Sequence, residues 1–328
     1  MLLRHAKSNQ PIAVVIIPLI CFAIWFNPLI HRFTINSHVD TSIMPFYAFL
    51  LKTFPPYTFL SKLIGAILVV TIAFMISRLN TKFIIISERT YLPSFIYIFI
   101  VCGLVPYKEL YPILPAIVIF LIAFERILDA FKHESLSYKI FDAALLLSIA
   151  SLFYFNILFF IVFVWISIIT LRPFHWREWV FILLGIFIPY FVLFSIYYLS
   201  NTSIVPILTA IRGNFIIETS YTIYKAQYAI VAMLILLILI SSRYIIRIFS
   251  NKKILARKTF NLFFWLFVIT IGAYFAINSS GIELVFIGAI PVSYLLAVFF
   301  TTARQTRWLE ILFDLFVVSL IITQVLKV

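Results

Sequence analysis

The chain is a succession of apolar runs with very little between them. They cover roughly 11–30, 58–77, 92–105, 112–128, 140–154, 156–171, 178–199, 226–249, 260–277, 283–302 and 308–326. A helix needs about 20 apolar residues to cross a bilayer, and a backbone in lipid must satisfy its own hydrogen bonds, so segments of this kind are helices. The sequence therefore predicts an all-α, polytopic integral membrane protein with about eleven transmembrane helices, one transmembrane domain over 1–328. Composition agrees: 64% of the residues are hydrophobic and 11% are charged, too little polar surface for a soluble domain. A propeller, a Rossmann domain and a cytosolic catalytic module are excluded.

The run 140–171 decides the topology. As one helix it would be about 48 Å long, well beyond a hydrocarbon core of about 30 Å, so a break is expected near Tyr154 and Asn156. With that break and an inside N-terminus, 18 of the 25 basic residues fall on the inner face and 7 on the outer. Without it the count becomes 11 inside and 14 outside, against the positive-inside rule. Fusing 92–126 into one span instead would bury Lys108 and Glu109 in lipid, which is costly. The expectation is thus an inside N-terminus and an outside C-terminus. The basic N-terminus runs into the first apolar stretch without a small-residue cleavage site, as an uncleaved first span would. Trp25, Trp176, Trp179 and Trp308 fall near span ends, where interfacial tryptophans belong.

A net charge of +13 would suggest nucleic acid in a soluble chain. Here the basic residues sit between apolar runs, so the expected partner is membrane lipid and no nucleic acid. The densest stretch, SRYIIRIFSNKKILARK, reads as a topology determinant held by anionic headgroups, or, over 243–258, as a docking patch for a protein partner. Cys21 and Cys102, the two cysteines, lie inside apolar runs and read as packing residues.

Two outer connections are long, 31–57 and 200–225. Each is expected to carry a short helix lying on the membrane, the first over Ile43 to Leu51. The acids assigned outside are Asp40, Glu109, Glu218 and Glu283. A carboxylate beside apolar surface can act as a base, or hold a divalent cation against a lipid-linked phosphate; a solvated loop acid or a helix cap is the plain alternative. His31, His38 and Asp40 are close in sequence, but no tight histidine pair with metal-ligand spacing is present. No glycine-rich phosphate loop and no nucleophile elbow occurs. Asp142 and Asp314 fall near span ends or one turn in, Asp142 as a first-turn acid at a helix N-terminus, which disfavours a transporter with midplane charges.

The layout resembles the GT-C superfamily of polyprenyl-phosphate-sugar glycosyltransferases over roughly residues 1 to 250. Asp40 in NSHVDTS stands where that superfamily has its first-loop catalytic acid, and Glu109 in PYKELYPILPAIVIFLIAFERIL where a second acidic motif precedes the fourth span. The stretch from Lys139 to Phe191 is also similar to an uncharacterised multi-pass inner-membrane protein family of Bacteroidetes, through its Phe141-Asp142-Ala143 start, its Ser151-Leu152-Phe153-Tyr154 centre and its Arg172-Pro173-Phe174 loop with Arg177 and Trp179. The first resemblance implies Asp40 as base or cation ligand, Glu109 in support, His38 beside them or on a metal, and Arg212 or Lys225 on the lipid phosphate. It also implies Mg or Mn as a divalent cofactor and a polyprenyl-phosphate sugar as substrate.

The leading expectation is an inner-membrane protein of cell-envelope glycan assembly, GT-C-like and acting as a glycosyltransferase. The rival is a non-enzymatic subunit or scaffold of an envelope complex, suggested by the single first-loop acid and the basic segment 243–258. A transporter comes third.

Overall fold

The computed structural model describes residues 12–30, 43–56, 58–86, 88, 90–105, 108–132, 136–171, 176–216, 225–248, 254–277, 281–303 and 307–325. Every regular element among them is a helix. In chain order they are α1 (Ile12–Ile30), α2 (Pro45–Thr53), α3 (Phe59–Phe83), α4 (Leu92–Leu104), α5 (Ile113–Lys132), α6 (Leu136–Ser151), a 3-10 segment (Phe155–Phe160), α7 (Ile161–Leu171), α8 (Trp176–Leu199), α9 (Val205–Ile216), α10 (Lys225–Ile248), α11 (Ile254–Ala276), α12 (Leu284–Thr302) and α13 (Arg307–Val325). Among the described residues five stretches are long and apolar enough to cross a membrane: Phe59–Phe83, Trp176–Leu199, Ile230–Ile248, Ile254–Ala276 and Leu284–Thr302. The protein is an all-helical, multi-pass membrane protein.

Local chemistry sets several helix ends. Thr58 caps α3, its Oγ1 accepting the Ser61 N–H at 3.2 Å, and prolines open α2 and α4, where a missing N–H costs nothing. The helix α3 stops at Ile84, which takes the left-handed conformation at φ 51. Asn80 secures that turn by accepting the Ile86 N–H on its side-chain oxygen at 2.9 Å.

The core is organised on α12. Most of its circumference is buried, the pattern of a helix surrounded by others. Tyr294 at its middle stacks on Phe263 of α11 with ring centres 4.5 Å apart, and Tyr111 and Phe286 meet near its start. By contrast α8 lies at the periphery and exposes Leu183, Phe187 and Phe191, the surface a lipid tail would cover.

The helices α6 and α8 run parallel. Gly185 of α8 lies against the backbone of α6, where an added Cβ would come within 3.0 Å of the Phe141 carbonyl oxygen. Further along, Ser148 donates to the Ile186 carbonyl at 2.8 Å, and the Ser151 and Tyr190 hydroxyls are 2.7 Å apart. Small residues at such a contact let two helices approach closely without a hydrophobic driving force.

The long run breaks where the sequence suggests, over Leu152 to Tyr154, just before Asn156. The helix α6 ends at Ser151, and the chain turns at Leu152 and Phe153 before the 3-10 segment. A tertiary contact fixes the place: the Leu152 carbonyl accepts the Phe46 N–H of α2 at 3.2 Å, and Phe46 meets Phe153 edge-on at 5.3 Å. The tryptophans divide. Trp176 and Trp308 are exposed as expected of interfacial residues, whereas Trp25 is buried, its ring packed on Gly65, and Trp179 stacks on Trp165 at 5.2 Å. Asp142 also differs from expectation, standing well inside α6 instead of in its first turn.

Candidate functional site

Glu109 sits in the connection between α4 and α5, and its surroundings are built from α4 outward. The last turn of α4 leaves carbonyls without helical partners. Lys108 takes up two of them, its Nζ donating to the carbonyls of Cys102 and Val105, both at 2.7 Å. The sequence places Lys108 in an outer loop; the structure buries it as a cationic cap on a helix C-terminus. That cap fixes the backbone one residue before Glu109.

Two further contacts position the loop. The Glu109 carbonyl lies so close to Gly65 of α3 that an added Cβ would be 2.9 Å from it. On the other side, Tyr47 of α2 donates its hydroxyl to the Leu110 carbonyl at 2.7 Å. Among the described residues, Lys62, buried on α3 one turn before Gly65, acts electrostatically on the Glu109 carboxyl. Burial pushes the Glu109 carboxyl above the ordinary carboxylate range, with Lys62 opposing that rise. Burial likewise pushes the Lys108 ammonium below its ordinary range.

The two long connections each contain a short helix, α2 and α9. They meet at Leu152. Its carbonyl takes the Phe46 N–H, and its side chain packs in a small cluster with Leu193 of α8 and Ile207 of α9, against which Ile211 and Tyr190 also lie. Next to Ile211, Arg212 is exposed. Lys225 opens α10, its side chain outside the description. Asp40 and His38 lie outside the described residues, as do all five histidines.

Below this region, an apolar groove of about 590 Å³ runs between the 3-10 segment and α8, lined by Leu158, Val180, Leu183, Leu184, Ile186, Phe187 and Tyr190. Tyr190 belongs both to the groove and to the surroundings of the Leu152 cluster. At the opposite end of α3, Lys82 bridges Glu125 at 2.7 Å and Asp129 at 2.6 Å, with Arg78 on Glu125 at 3.2 Å. This network ties α3 to α5 and touches none of the candidate residues.

The structure thus brings Glu109, the start of α2 and, through Leu152, the helix bearing Arg212 to one end of the bundle. Lys62 is a member that sequence reasoning missed, although a lysine in the first turn of an apolar helix is a readable signal. Among the described residues, no three His, Cys, Asp or Glu side chains gather as a metal site. Burial, which raises the proton affinity of Glu109, is what suits it to act as a base; Lys62 opposes that rise. No family model, no curated protein and no solved structure matches the chain.

Proposed function

We propose that the protein is an inner-membrane component of cell-envelope glycan assembly, GT-C-like in architecture, that transfers sugar from a polyprenyl phosphate. One observation carries the reading: the Tyr47–Leu110 hydrogen bond ties the connection that follows Asp40 to the loop that carries Glu109. Asp40 precedes Ile43 by three residues, a reach of no more than about 11 Å. In this reading a carboxylate takes the proton of the acceptor hydroxyl, the freed oxygen attacks the anomeric carbon, and the polyprenyl phosphate leaves with the bonding electrons. Asp40 acts as that base or holds a divalent cation, Mg or Mn, which would neutralise the leaving phosphate. Glu109 assists as a carboxyl whose proton affinity is raised by burial. Arg212 and Lys225 hold the phosphate, and the groove beside Tyr190 takes the isoprenoid tail.

The eleven-span topology, with N-terminus inside and C-terminus outside, belongs to this proposal. It is supported by the antiparallel course of α3, α4, α5 and α6, by the break after Ser151, and by the parallel pair α6 and α8, which requires one crossing between them.

The test is binding followed by transfer. Thermal unfolding of the full chain in nanodiscs is expected to shift upward by several degrees with a polyprenyl phosphate, less with the matching polyprenol, and less again in Arg212→Ala. Equal shifts for the phosphate and the alcohol would refute a phosphate site. Asp40→Asn is expected to lose sugar transfer at least a hundredfold with unfolding unchanged; undiminished transfer removes Asp40 from the mechanism.

A second reading, a non-enzymatic subunit, is favoured by the exposure of Arg243 and Arg247 at the end of α10. It expects a partner protein that co-purifies in mild detergent and is lost when both arginines become alanine.

A further inference from the structure

The outward face of α10 changes character towards its end. One side of the helix, through Ile230, Leu234, Leu237, Ser241 and Ile245, is buried. On the opposite side Val231, Ile235 and Leu239 are exposed, and the next two turns of that stripe expose Arg243, Ile246 and Arg247. From Val231 to Arg243 the stripe is about 18 Å long, close to the 15 Å or so that one leaflet contributes to the hydrocarbon core. The two arginines stand one turn apart on one face, where like charges repel. Neither has an ion-pair partner among the described residues, Glu310 in the first turn of the adjacent α13 included. The chain around them supplies no acid, since no Asp or Glu occurs from 219 to 282. Arg78, also exposed near a helix end, differs in being bridged to Glu125 at 3.2 Å.

We infer that this face of α10 binds one anionic phospholipid, its phosphate between the Arg243 and Arg247 guanidiniums and a tail along the stripe towards Val231. A guanidinium offers a fork of donors that matches phosphate oxygens and gives up its hydration more readily than an ammonium. A phosphate between the two arginines also removes their mutual repulsion. An acidic peptide would satisfy the arginines and leave the apolar stripe uncovered, whereas a neutral lipid would cover the stripe and leave the charges unmatched. An amphiphile with an anionic head and an apolar tail meets both requirements at once. This is more specific than the general attraction of an anionic leaflet for basic segments, because Arg78 carries the same charge and already has its carboxylate. The site is also remote from Glu109. Ile230, near the start of α10, lies against Gly103 at the end of α4, so the arginines stand at the opposite end of the bundle from the Glu109 loop.

The inference does not use the transferase activity, and it competes with the subunit reading for the same two arginines. The experiment titrates the full chain, in a neutral detergent, with dioleoylphosphatidylglycerol and counts bound lipid by native mass spectrometry. Dioleoylglycerol supplies the same tails without the phosphate, and glycerol phosphate supplies the phosphate without tails. Tight binding of the phospholipid alone is expected. Losing about fivefold per arginine, the double variant Arg243→Gln with Arg247→Gln should bind it about thirtyfold more weakly, and Arg78→Gln should bind it as the wild type does. If the double variant does not accumulate, the three ligands compared on the wild-type chain decide. Equal binding of dioleoylglycerol, or glycerol phosphate binding as tightly as the phospholipid, overturns the inference. So does an equal loss in Arg78→Gln, which would make the attraction one of diffuse charge, or a co-purifying protein that occupies both arginines. None of these outcomes touches the polyprenyl-phosphate test, which reads Arg212 at the other end of the molecule.

Discussion

The phenolic hydroxyl of Tyr294 donates a 2.6 Å hydrogen bond to the carbonyl oxygen of Ile76. This single bond fastens the central helix α12 to α3 where both are buried. Ile76 is a helical residue, so its carbonyl keeps its partner within α3 when the tyrosine is lost. Tyr294→Phe should therefore cost about 1 kcal/mol, because the ring still stacks on Phe263. Tyr294→Ala also opens a cavity and should cost about 3–5 kcal/mol. Denaturation midpoints in detergent measure both; a phenylalanine variant as stable as wild type would show that the bond contributes nothing.

Gly65 and Gly272 form a matched pair of glycines in long apolar helices. A Cβ at Gly65 would meet the Glu109 carbonyl oxygen and the Trp25 ring, both at 2.9 Å, whereas at Gly272 nothing lies within 4 Å. Gly65→Ala must push a backbone atom, at a cost of about 1–3 kcal/mol, and should displace the Glu109 loop. Gly272→Ala should be neutral or stabilising by up to about 1 kcal/mol. The two unfolding curves decide, and equal effects would contradict the packing described.

Helix positions were largely legible in the sequence, because apolar runs and lipid leave the backbone few options. A short helix after Asp40 was expected from Ile43 to Leu51, and residues Pro45–Thr53 are helical. The break in the long run was visible as excess length and falls near Tyr154 as expected; the bond of its Leu152 carbonyl to Phe46 was not legible, since Phe46 lies far away in sequence. Side-chain pairings were hidden for the same reason. Tyr47 reaching Leu110, Gly65 lying against the Glu109 carbonyl and Tyr294 reaching Ile76 all join residues far apart in sequence, and no periodicity records which faces meet. Lys108 shows the converse failure: charge predicts exposure unless the orphan carbonyls of a neighbouring helix end are taken into account.

The Lys82 network offers a graded test. Its side chain is 35% exposed and bridges Glu125 and Asp129, which are 12% and 18% exposed, whereas Arg78 is 68% exposed. Lys82→Met removes the ammonium from two largely shielded carboxylates and should cost about 1–2 kcal/mol. Arg78→Ala should stay within about 0.5 kcal/mol. A double-mutant cycle with Asp129→Asn should return a coupling for Lys82; zero coupling would mean the bridge is only geometric.

Glu109 and Lys108 should bend the pH dependence of stability in opposite senses. The Glu109 carboxyl is raised by burial, so just above the ordinary carboxylate range the folded chain holds a proton that the unfolded chain has released. Stability therefore falls as pH rises through that window. The Lys108 ammonium is lowered, so below the ordinary amine value the unfolded chain holds the extra proton and stability rises with pH. Glu109→Gln should remove the first slope and Lys108→Met the second, read from unfolding midpoints across pH. An unchanged acidic slope in Glu109→Gln would assign it to another group.

The parallel pair α6 and α8 constrains how the molecule is made. A newly formed helix can pack at once against the one before it, as α5 and α6 do, but α8 is made, and reaches its seat on α6, only after the intervening segment 152–175 has been synthesised; in the proposed topology that segment must also cross back. The close contact at Gly185 is therefore sealed after α6 is complete, and until then the Ser148 and Ser151 face of α6 is without its partner helix. A ribosome stalled between α7 and α8 would leave that face exposed, making this seam the natural point of attack for membrane quality control.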